Sequence, residues 1–578
     1  MIKLNKKQIY RWLTSLKLLI IGSASALVIL SSVLALPSAA GAAGAAAALW
    51  RQPDSRREDP RIAELERIYA DFLDAHGAVE AIDAGTQLKV EGRERTTWLH
   101  RQDTLRDIFD RKYKEILDKT NLNSSDRRLL DSMRRTFEEL TEAGSDSTSI
   151  SAGCADAPGT SEGSALSAAL YACFDSPGNQ LRFDDQTLTR VATLQLLQEL
   201  DDPRKRHELF MAMSPLWRAV NAANEPDSPY RRLIGQRSAA YTAGRSPVHE
   251  AAAAFGISAA EAEQWLVRIL EAWRSVTVDD GRIEPWDYRY HYSAASRALA
   301  GAIPREQLLP LQQRFFADLG ADPAALGVLF DIDPRPGKAP LAYSDIVRMG
   351  RLVDGRWRPA IARVSANDDR GGLGILNELV HETGHAVHFM AIRARPAFFW
   401  PDTTFIEAFA DVPSWSVYTP PWQQRYLGRA VSRVDGLREQ FAGVMLDVAW
   451  SLFELRMLRD PRQDPNALWT EITGRFLHIA PHPEISWWAV RSQLVSDPGY
   501  MIHYGLGAII TAQVRARTRE AIGGFDAGNR RWYGWLSAQL LAAGGQLPTA
   551  RQLQDFLGEP LAPAALIREI LSMQRASH

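Results

Sequence analysis

The chain has 578 residues, of which 46% are hydrophobic and 24% charged. This composition is typical of a globular protein large enough to bury a substantial core. The net charge of −2 leaves no excess of positive charge of the kind that binds nucleic acid, so we expect no nucleic acid partner. Two cysteines are too few for a zinc site built on thiolates.

The N-terminal residues differ from the rest of the chain. Basic residues between Lys3 and Lys17 precede the apolar stretch 18–36, and small residues follow it. Residues 1–42 are therefore expected to be an export signal or an uncleaved N-terminal membrane anchor. In both cases the body would lie outside the cytoplasm, in the periplasm or the extracellular space. Residues 43–58 are an expected Ala/Gly-rich linker.

From Asp59 onward the pattern is mostly helical, and we interpret 59–578 as a single helical domain. Asp59 and Pro60 predict a helix start, and the residues from Ile62 to Leu73 carry an apolar stripe at helical spacing. The segments 201–220 and 258–273 are two further helix candidates. The whole pattern predicts a mostly all-α fold.

Strand signals are scarce and lie just upstream of a histidine-rich helix. Two β-prone runs within 351–367 flank Asp354 and Gly355, which predicts a hairpin. The expected result is one small antiparallel sheet next to that helix.

The helix itself contains "NELVHETGHAVHF" at 377–389. His381 and His385 are four residues apart, so on a helix both imidazoles can reach one tetrahedral metal ion. Glu382 would then lie next to the metal and could act as a general base. A random HExxH is expected in on the order of one chain in a hundred, but the apolar stripe on both sides of the motif favours a helical metal site.

A catalytic metal site of this kind needs a third protein ligand. His388 is two turns from the first histidine, so we assign it to packing or support. A second helical segment downstream, capped by Thr403 or Thr404, carries Glu407 and Asp411 on one face. The best interpretation is Glu407 as the third ligand and Asp411 as the hydrogen-bond partner of a ligand histidine.

These motifs resemble two related families of zinc metallopeptidases. "FIEAFADVPSWSVYTP" resembles the second motif helix of the angiotensin-converting-enzyme (peptidyl-dipeptidase A) family. "HETGHAVHF" and "IEPWDYRYHYS" are more similar to the thimet oligopeptidase and oligopeptidase F family. Cys154 and Cys173 resemble a cysteine pair of the first family. A disulfide between them also fits an exported protein, and two free cysteines are the alternative.

The resemblance implies two helical halves around a deep cleft that admits short peptides. One zinc ion would be held by His381, His385 and Glu407, with Glu382 as the base. Tyr504 or His503 would stabilise the oxyanion. Substrate would contact Tyr500 and pair with an edge strand at 360–366, through Ala362, Val364 and Ala366.

Two departures from the converting-enzyme pattern concern how the end of a peptide is held. The lysine and tyrosine that bind the substrate carboxylate in that family fall on Ser492 and Met501, although Arg491 could substitute. The chloride-binding arginine falls on His503. Peptidyl-dipeptidase and endo-oligopeptidase action therefore both stay open.

The sequence thus predicts a zinc metallopeptidase that hydrolyses short peptides. The alternative from another class is a catalytically inactive, membrane-anchored binding protein on the same scaffold.

Overall fold

The computed structural model describes residues 59–86, 95–119, 122–145, 163–175, 180–277 and 282–574, apart from 337, 340 and 355. The predicted export segment and linker lie outside these ranges. Within them, no helix combines the length and the apolar character needed to cross a membrane.

Helices make up most of the described chain, so the predicted mostly all-α class is confirmed. The helices before the motif are α1 (Pro60–Asp83), α2 (Arg95–Lys119), α3 (Ser124–Ser145), α4 (Gly163–Asp175), α5 (Arg190–Leu196), α6 (Pro203–Met211), α7 (Ser214–Asn221), α8 (Pro229–Thr242), α9 (Pro247–Ala254), α10 (Ala259–Val276), α11 (Tyr288–Tyr292), α12 (Ala294–Leu299), α13 (Leu308–Asp318) and α14 (Pro323–Leu326). The motif helix and those after it are α15 (Leu373–Ala391), α16 (Thr403–Ser414), α17 (Pro420–Leu427), α18 (Arg433–Arg459), α19 (Pro465–Phe476), α20 (Gln493–Ser496), α21 (Ile502–Ile522), α22 (Trp532–Leu536), α23 (Thr549–Leu557) and α24 (Ala564–Leu571). The strands are β1 (Leu181–Phe183), β2 (Gln186–Leu188), β3 (Leu329–Asp331), β4 (Tyr343–Arg348), β5 (Arg351–Val353), β6 (Arg356–Arg358) and β7 (Ile361–Ser365).

The first helix begins where the sequence predicts. The Asp59 side chain accepts a hydrogen bond from the backbone N–H of Arg61 at 2.9 Å, and Pro60 is the first helical residue. Apolar residues of α1 are buried against α2 and α3. The segment 201–220 forms two helices, α6 and α7, instead of one, and 258–273 lies within α10.

The main hydrophobic core includes residues from Ala70 to Met573, and within it α15 packs on α16 and α16 packs on α21. Large aromatic residues fill it: Trp450, Trp469 and Trp488 are each at most 2% exposed. Close packing of this kind holds neighbouring helices at fixed distances. The residues on α15, α16 and the start of α21 are therefore rigidly placed relative to one another.

The sheet beside α15 corrects two predictions. Its strand order is β3-β7-β4, with β7 antiparallel to β4 but parallel to β3, so the sheet is mixed. Because β7 has a neighbour on each side, 360–366 is not an edge strand. Ala362, Val364 and Ala366 are at most 1% exposed, so the prediction that they pair with a peptide is wrong. The hairpin around Asp354 is confirmed as β5–β6.

The helix α16 begins one or two residues earlier than the sequence predicts. The N-cap of α16 is Asp402, whose side chain accepts from the backbone N–H of Thr404 at 2.8 Å. The prediction of a threonine cap is therefore wrong by one or two residues.

Cys173 is buried in α4, but Cys154 lies outside the described residues, so the disulfide stays a prediction.

Candidate metal centre

The motif histidines meet on one face of α15, as the sequence predicts. The Nε2 atoms of His381 and His385 are 3.1 Å apart, because residues four apart on a helix project from the same side. Burial lowers the pKa of His385 to about 4. Its imidazole is therefore neutral near pH 7 and offers a lone pair to a metal ion.

Glu407 on α16 completes the group. Its Oε2 atom lies 3.7 Å from Nε2 of His381 and 4.0 Å from Nε2 of His385. Burial alone would raise the pKa of Glu407, but the hydrogen bond and positive charge of His381, together with the hydrogen bond from Tyr500, lower it to about 2. Two imidazole nitrogens and one ionised carboxylate, all within 4.8 Å of one another, are a donor set that fits a divalent metal ion.

Gly384 explains how α15 and α16 come so close. A Cβ atom at this position would lie 2.8 Å from both Cα and O of Ala410. These are backbone atoms of α16, which cannot move aside as the end of a flexible side chain could. The glycine between the two histidines therefore permits the helix contact that brings Glu407 to them.

Asp411 occupies the predicted supporting position. Its Oδ1 atom lies 2.8 Å from Nδ1 of His381 and also accepts a hydrogen bond from Ser414 Oγ at 3.1 Å. A carboxylate on Nδ1 orients the ring and leaves Nε2 directed at the metal position. Burial opposes protonation of His381, but the charge and hydrogen bond of Asp411 raise its pKa well above the ordinary value.

Glu382 is buried beside the ligand group and is 8% exposed. Ser344 on β4 donates a hydrogen bond to its Oε2 atom at 2.9 Å. Burial raises the pKa of Glu382 to about 7, although His381 and Ser344 oppose the shift. A carboxyl group with a pKa near neutrality can both accept and return a proton.

His388 is not part of the group. It is fully buried, and its ring packs against Phe405 and Phe409 with centroid distances of 5.3 and 4.9 Å. Burial lowers its pKa to about 3, so the ring is neutral. The prediction that it has a packing role agrees with this geometry.

The predicted oxyanion residues, His503 and Tyr504, lie at the start of α21. Tyr500, the predicted substrate contact, precedes that helix, and its hydroxyl donates to Oε1 of Glu407 at 3.2 Å. Nδ1 of His503 is 2.6 Å from Thr404 Oγ1, and its Nε2 is buried without a partner in the described residues. The Tyr504 hydroxyl accepts from Gln493 at 3.3 Å, and burial raises its pKa.

Sequence reasoning missed two residues that hold parts of the candidate site in place, Glu454 and Ser344. Glu454, on α18, is 1% exposed and accepts the backbone N–H groups of Gly499 and Met501 at 2.8 and 2.9 Å. These two groups flank Tyr500, so Glu454 holds the backbone that presents its phenol. Neither residue belongs to a local motif, and no signal in the sequence points to them.

The converting-enzyme positions for a substrate carboxylate are not reproduced. Met501 is fully buried. Arg491 forms an ion pair with Asp447, and its guanidinium carbon lies 4.9 Å from the ring centroid of Trp450 and 5.5 Å from that of Tyr504.

Comparison with solved structures shows that this fold is shared with peptidases. An M32 carboxypeptidase from Deinococcus radiodurans R1 superposes with a TM-score of 0.53 at 13% identity, over 90% of this chain and 99% of that one. PZ peptidase A, solved with an inhibitor, gives 0.54 at 15% identity, over 91% and 98%. A protein described as an oligoendopeptidase F gives 0.50 at 17% identity, over 90% and 97%.

At these identities the likeness concerns the fold alone. Both parts of the sequence resemblance, to oligopeptidase F and to the converting enzymes, therefore stay predictions. No family model and no curated protein sequence matches the chain.

Proposed function

We propose that this chain is a zinc metallopeptidase that hydrolyses short peptides and is most similar in action to the oligopeptidase F group. The observation that carries the proposal is the convergence of His381, His385 and Glu407 with a buried glutamate, Glu382, beside them. The likeness in fold to a carboxypeptidase and to an oligoendopeptidase supports it. Export through the N-terminal segment is part of the proposal.

The three ligands would hold one zinc ion through the two Nε2 atoms and the Glu407 carboxylate. The ion would supply Lewis acidity, which polarises the scissile carbonyl and lowers the pKa of a water molecule. An N,N,O donor set that leaves a coordination position free is the arrangement that catalytic zinc requires.

The chain's own groups then move the proton and stabilise charge. Glu382 accepts the proton of the attacking water and passes it to the amine that leaves. Ser344 keeps the carboxylate of Glu382 oriented by its hydrogen bond. Tyr504 is the proposed donor to the developing oxyanion, with His503 as the other candidate. Asp411 fixes the orientation of His381 throughout.

Metal content and peptide hydrolysis test the proposal together. The purified chain should contain about one zinc per molecule, a chelator should abolish hydrolysis of a mixture of short peptides, and added Zn²⁺ should restore it. A protein that binds no stoichiometric metal and cleaves none of the peptides would instead support the alternative of an inactive binding protein. Retention of another divalent metal with full activity would correct the identity of the ion only.

A further inference from the structure

A cavity of about 660 Å³ lies apart from the metal-ligand group, which consists of His381, His385 and Glu407. Its wall comes mainly from the segment 282–287, from α11 and α12, and from the first turns of α18. The structure describes every residue of α15 and α16, and none of them lines this cavity. Its volume is in the range of cavities that bind ligands, and the proposed mechanism gives it no task. We call it the second cavity.

Two arginines in the wall of the second cavity are held against one aromatic ring. The guanidinium carbons of Arg206 and Arg297 lie 4.0 and 3.9 Å from the ring centroid of Tyr290. Nε of Arg206 also donates to Oδ1 of Asp287 at 2.7 Å, and Arg297 donates to the carbonyl oxygen of Tyr290 at 2.5 Å. These contacts fix two positive charges close together, in a geometry that guanidinium groups favour.

Two further arginines of the wall have no partner. Arg282 and Arg438 line the cavity and form no ion pair and no hydrogen bond within the described residues. Two of the carboxylates in the wall are engaged elsewhere. Oε2 of Glu284 lies 2.7 Å from Nε2 of His482, and Asp435 accepts a hydrogen bond at the start of its own helix. Guanidinium groups therefore outnumber the carboxylates that could neutralise them.

The second cavity is a neighbour of the metal-ligand group through Tyr292. This residue lines both the second cavity and a smaller cavity of about 250 Å³. The smaller cavity extends to Asp411, whose Oδ1 atom lies 2.8 Å from Nδ1 of the ligand His381. An extended peptide advances about 3.3–3.6 Å per residue. A peptide whose scissile bond lies at the metal would therefore reach the second cavity with residues farther along its chain.

The wall chemistry of the second cavity suits carboxylates. A planar guanidinium binds a carboxylate through parallel hydrogen bonds, and a concave wall with a surplus of one charge attracts the opposite charge. A single inorganic ion would fill a small part of the volume, because even a water molecule occupies only about 30 Å³. Within a peptide, the internal groups with the required chemistry are the side chains of aspartate and glutamate.

We propose that the second cavity binds acidic side chains of the substrate at positions remote from the scissile bond. The chain then prefers short peptides that carry neighbouring Asp or Glu residues at a fixed distance from the bond that is cut. This inference rests on the proposed peptidase function and narrows its substrate class. A peptide's terminal carboxylate and a free polyanion offer the same chemistry, so the experiments must separate these sources.

The first experiment measures binding without turnover. Calorimetry on the full chain with Glu382→Gln compares two C-terminally amidated peptides that differ only in a pair of Glu or Gln residues. The pair is moved one position at a time along the peptide. At the best position we expect the Kd of the Glu peptide to be lower by roughly 5- to 50-fold, the effect of charged hydrogen bonds that solvent partly weakens. Equal Kd values at every position would overturn the proposal, as would a preference that does not depend on position.

The second experiment locates the preference with variants of the same protein. Arg438→Gln should raise the Kd of the Glu peptide by roughly 5- to 10-fold and bring the two Kd values close together. Arg282→Gln, at an exposed position of the same wall, should act in the same direction. Arg433→Gln is the matched control, because Arg433 is exposed on the same helix as Arg438 and does not line the cavity. An unchanged preference in both wall variants, or an equal loss in the control, would overturn the proposal.

A third measurement tests a free polyanion as the occupant. Tripolyphosphate should compete with the Glu peptide in the calorimeter, since both require the same guanidinium groups. Binding of tripolyphosphate that depends on Arg438, without any preference between the Glu and Gln peptides, would overturn the proposal in favour of a site for free anions.

Turnover by the unchanged chain separates failure of this inference from failure of the proposed function. Mass spectrometry of the products should show a cut at a fixed distance from the Glu pair as the pair is moved. If no peptide is hydrolysed but the Arg438-dependent preference in binding is present, the site for acidic side chains stands and the peptidase function fails. If peptides are hydrolysed without any preference for the Glu pair, the function stands and this inference fails.

Discussion

The candidate metal-ligand group and the backbone around Tyr500 are neighbours that are held in different ways. In the first, side chains orient one another: Oδ1 of Asp411 lies 2.8 Å from Nδ1 of His381. In the second, the buried carboxyl group of Glu454 accepts the two backbone N–H groups that flank Tyr500. The first region therefore depends on the charge and orientation of its side chains, whereas the second depends on the position of its backbone.

The two regions also differ in how the chain builds them. The candidate ligands come from two consecutive helices that touch through Gly384. The second region joins α18 to the segment before α21, across sequence separations of 45 and 47 residues. Changes in α15 and α16 should therefore affect metal binding and chemistry, and a change at Glu454 should affect stability.

The largest expected effect is the loss of turnover when Glu382, the proposed base, is replaced. Glu382→Gln removes the base but keeps a side chain of the same shape, so kcat should fall by about 10²- to 10⁴-fold. Zinc content, measured by mass spectrometry, and the Kd for a short peptide should be unchanged. Normal turnover by this variant would show that Glu382 is not the base.

The next effect concerns the orientation of a ligand. Asp411→Asn keeps the size of the side chain but weakens the hydrogen bond to Nδ1 of His381, so zinc affinity should fall by roughly 10- to 100-fold. A competition titration with a chromogenic chelator measures this change. Asp435→Asn on α18 is a control, because the Asp435 carboxylate has Ser432 as its only hydrogen-bond partner among the described residues. Equal zinc affinity for both variants would contradict the role of Asp411.

A third change tests whether the helix contact builds the metal-ligand group. Gly384→Ala places a methyl group against the backbone of Ala410, so we expect a loss of about 1–3 kcal/mol in the free energy of unfolding together with weaker zinc binding. Gly374→Ala is the matched control on the same helix, since no described atom other than those of its chain neighbours and its own helix backbone lies within 4 Å of its Cβ position. Denaturant titration of both variants measures the difference. A Gly384→Ala protein as stable as the control would mean that α15 and α16 need not approach so closely.

The smallest effect is a pH dependence of the region around Tyr500, which Glu454 holds. Burial raises the pKa of Glu454 from 4.5 to about 8, so between these values the folded chain keeps a proton that the unfolded chain releases. The contribution of Glu454 to stability is therefore fully present below about pH 4.5 and decreases as the pH rises to 8. Glu454→Gln has no proton to release, so its free energy of unfolding should fall less steeply between pH 5 and 8. Parallel curves for the two proteins would contradict the buried, protonated state of Glu454.

Much of the metal-ligand group could be predicted from the sequence because its information is local. His381, Glu382 and His385 share one helical turn, and the apolar surroundings of Glu407 and Asp411 indicate that these carboxylates need partners. The edge-strand prediction for Ala362, Val364 and Ala366 failed for the opposite reason. A β-prone run predicts a strand but not its neighbours, and β3 pairs with β7 from a position about thirty residues upstream.

By itself, the sequence determined the helical class, the helix that carries HETGH and the candidate set of metal ligands, because helical periodicity and ligand spacing are properties of neighbouring residues. Only the tertiary structure decided that Ser344 contacts Glu382 and that Glu454 holds the backbone around Tyr500. Each of these contacts joins residues far apart in the chain, and long-range contacts depend on the packing of the complete core. The candidate ligands are therefore encoded locally, whereas the groups that support them depend on the whole fold.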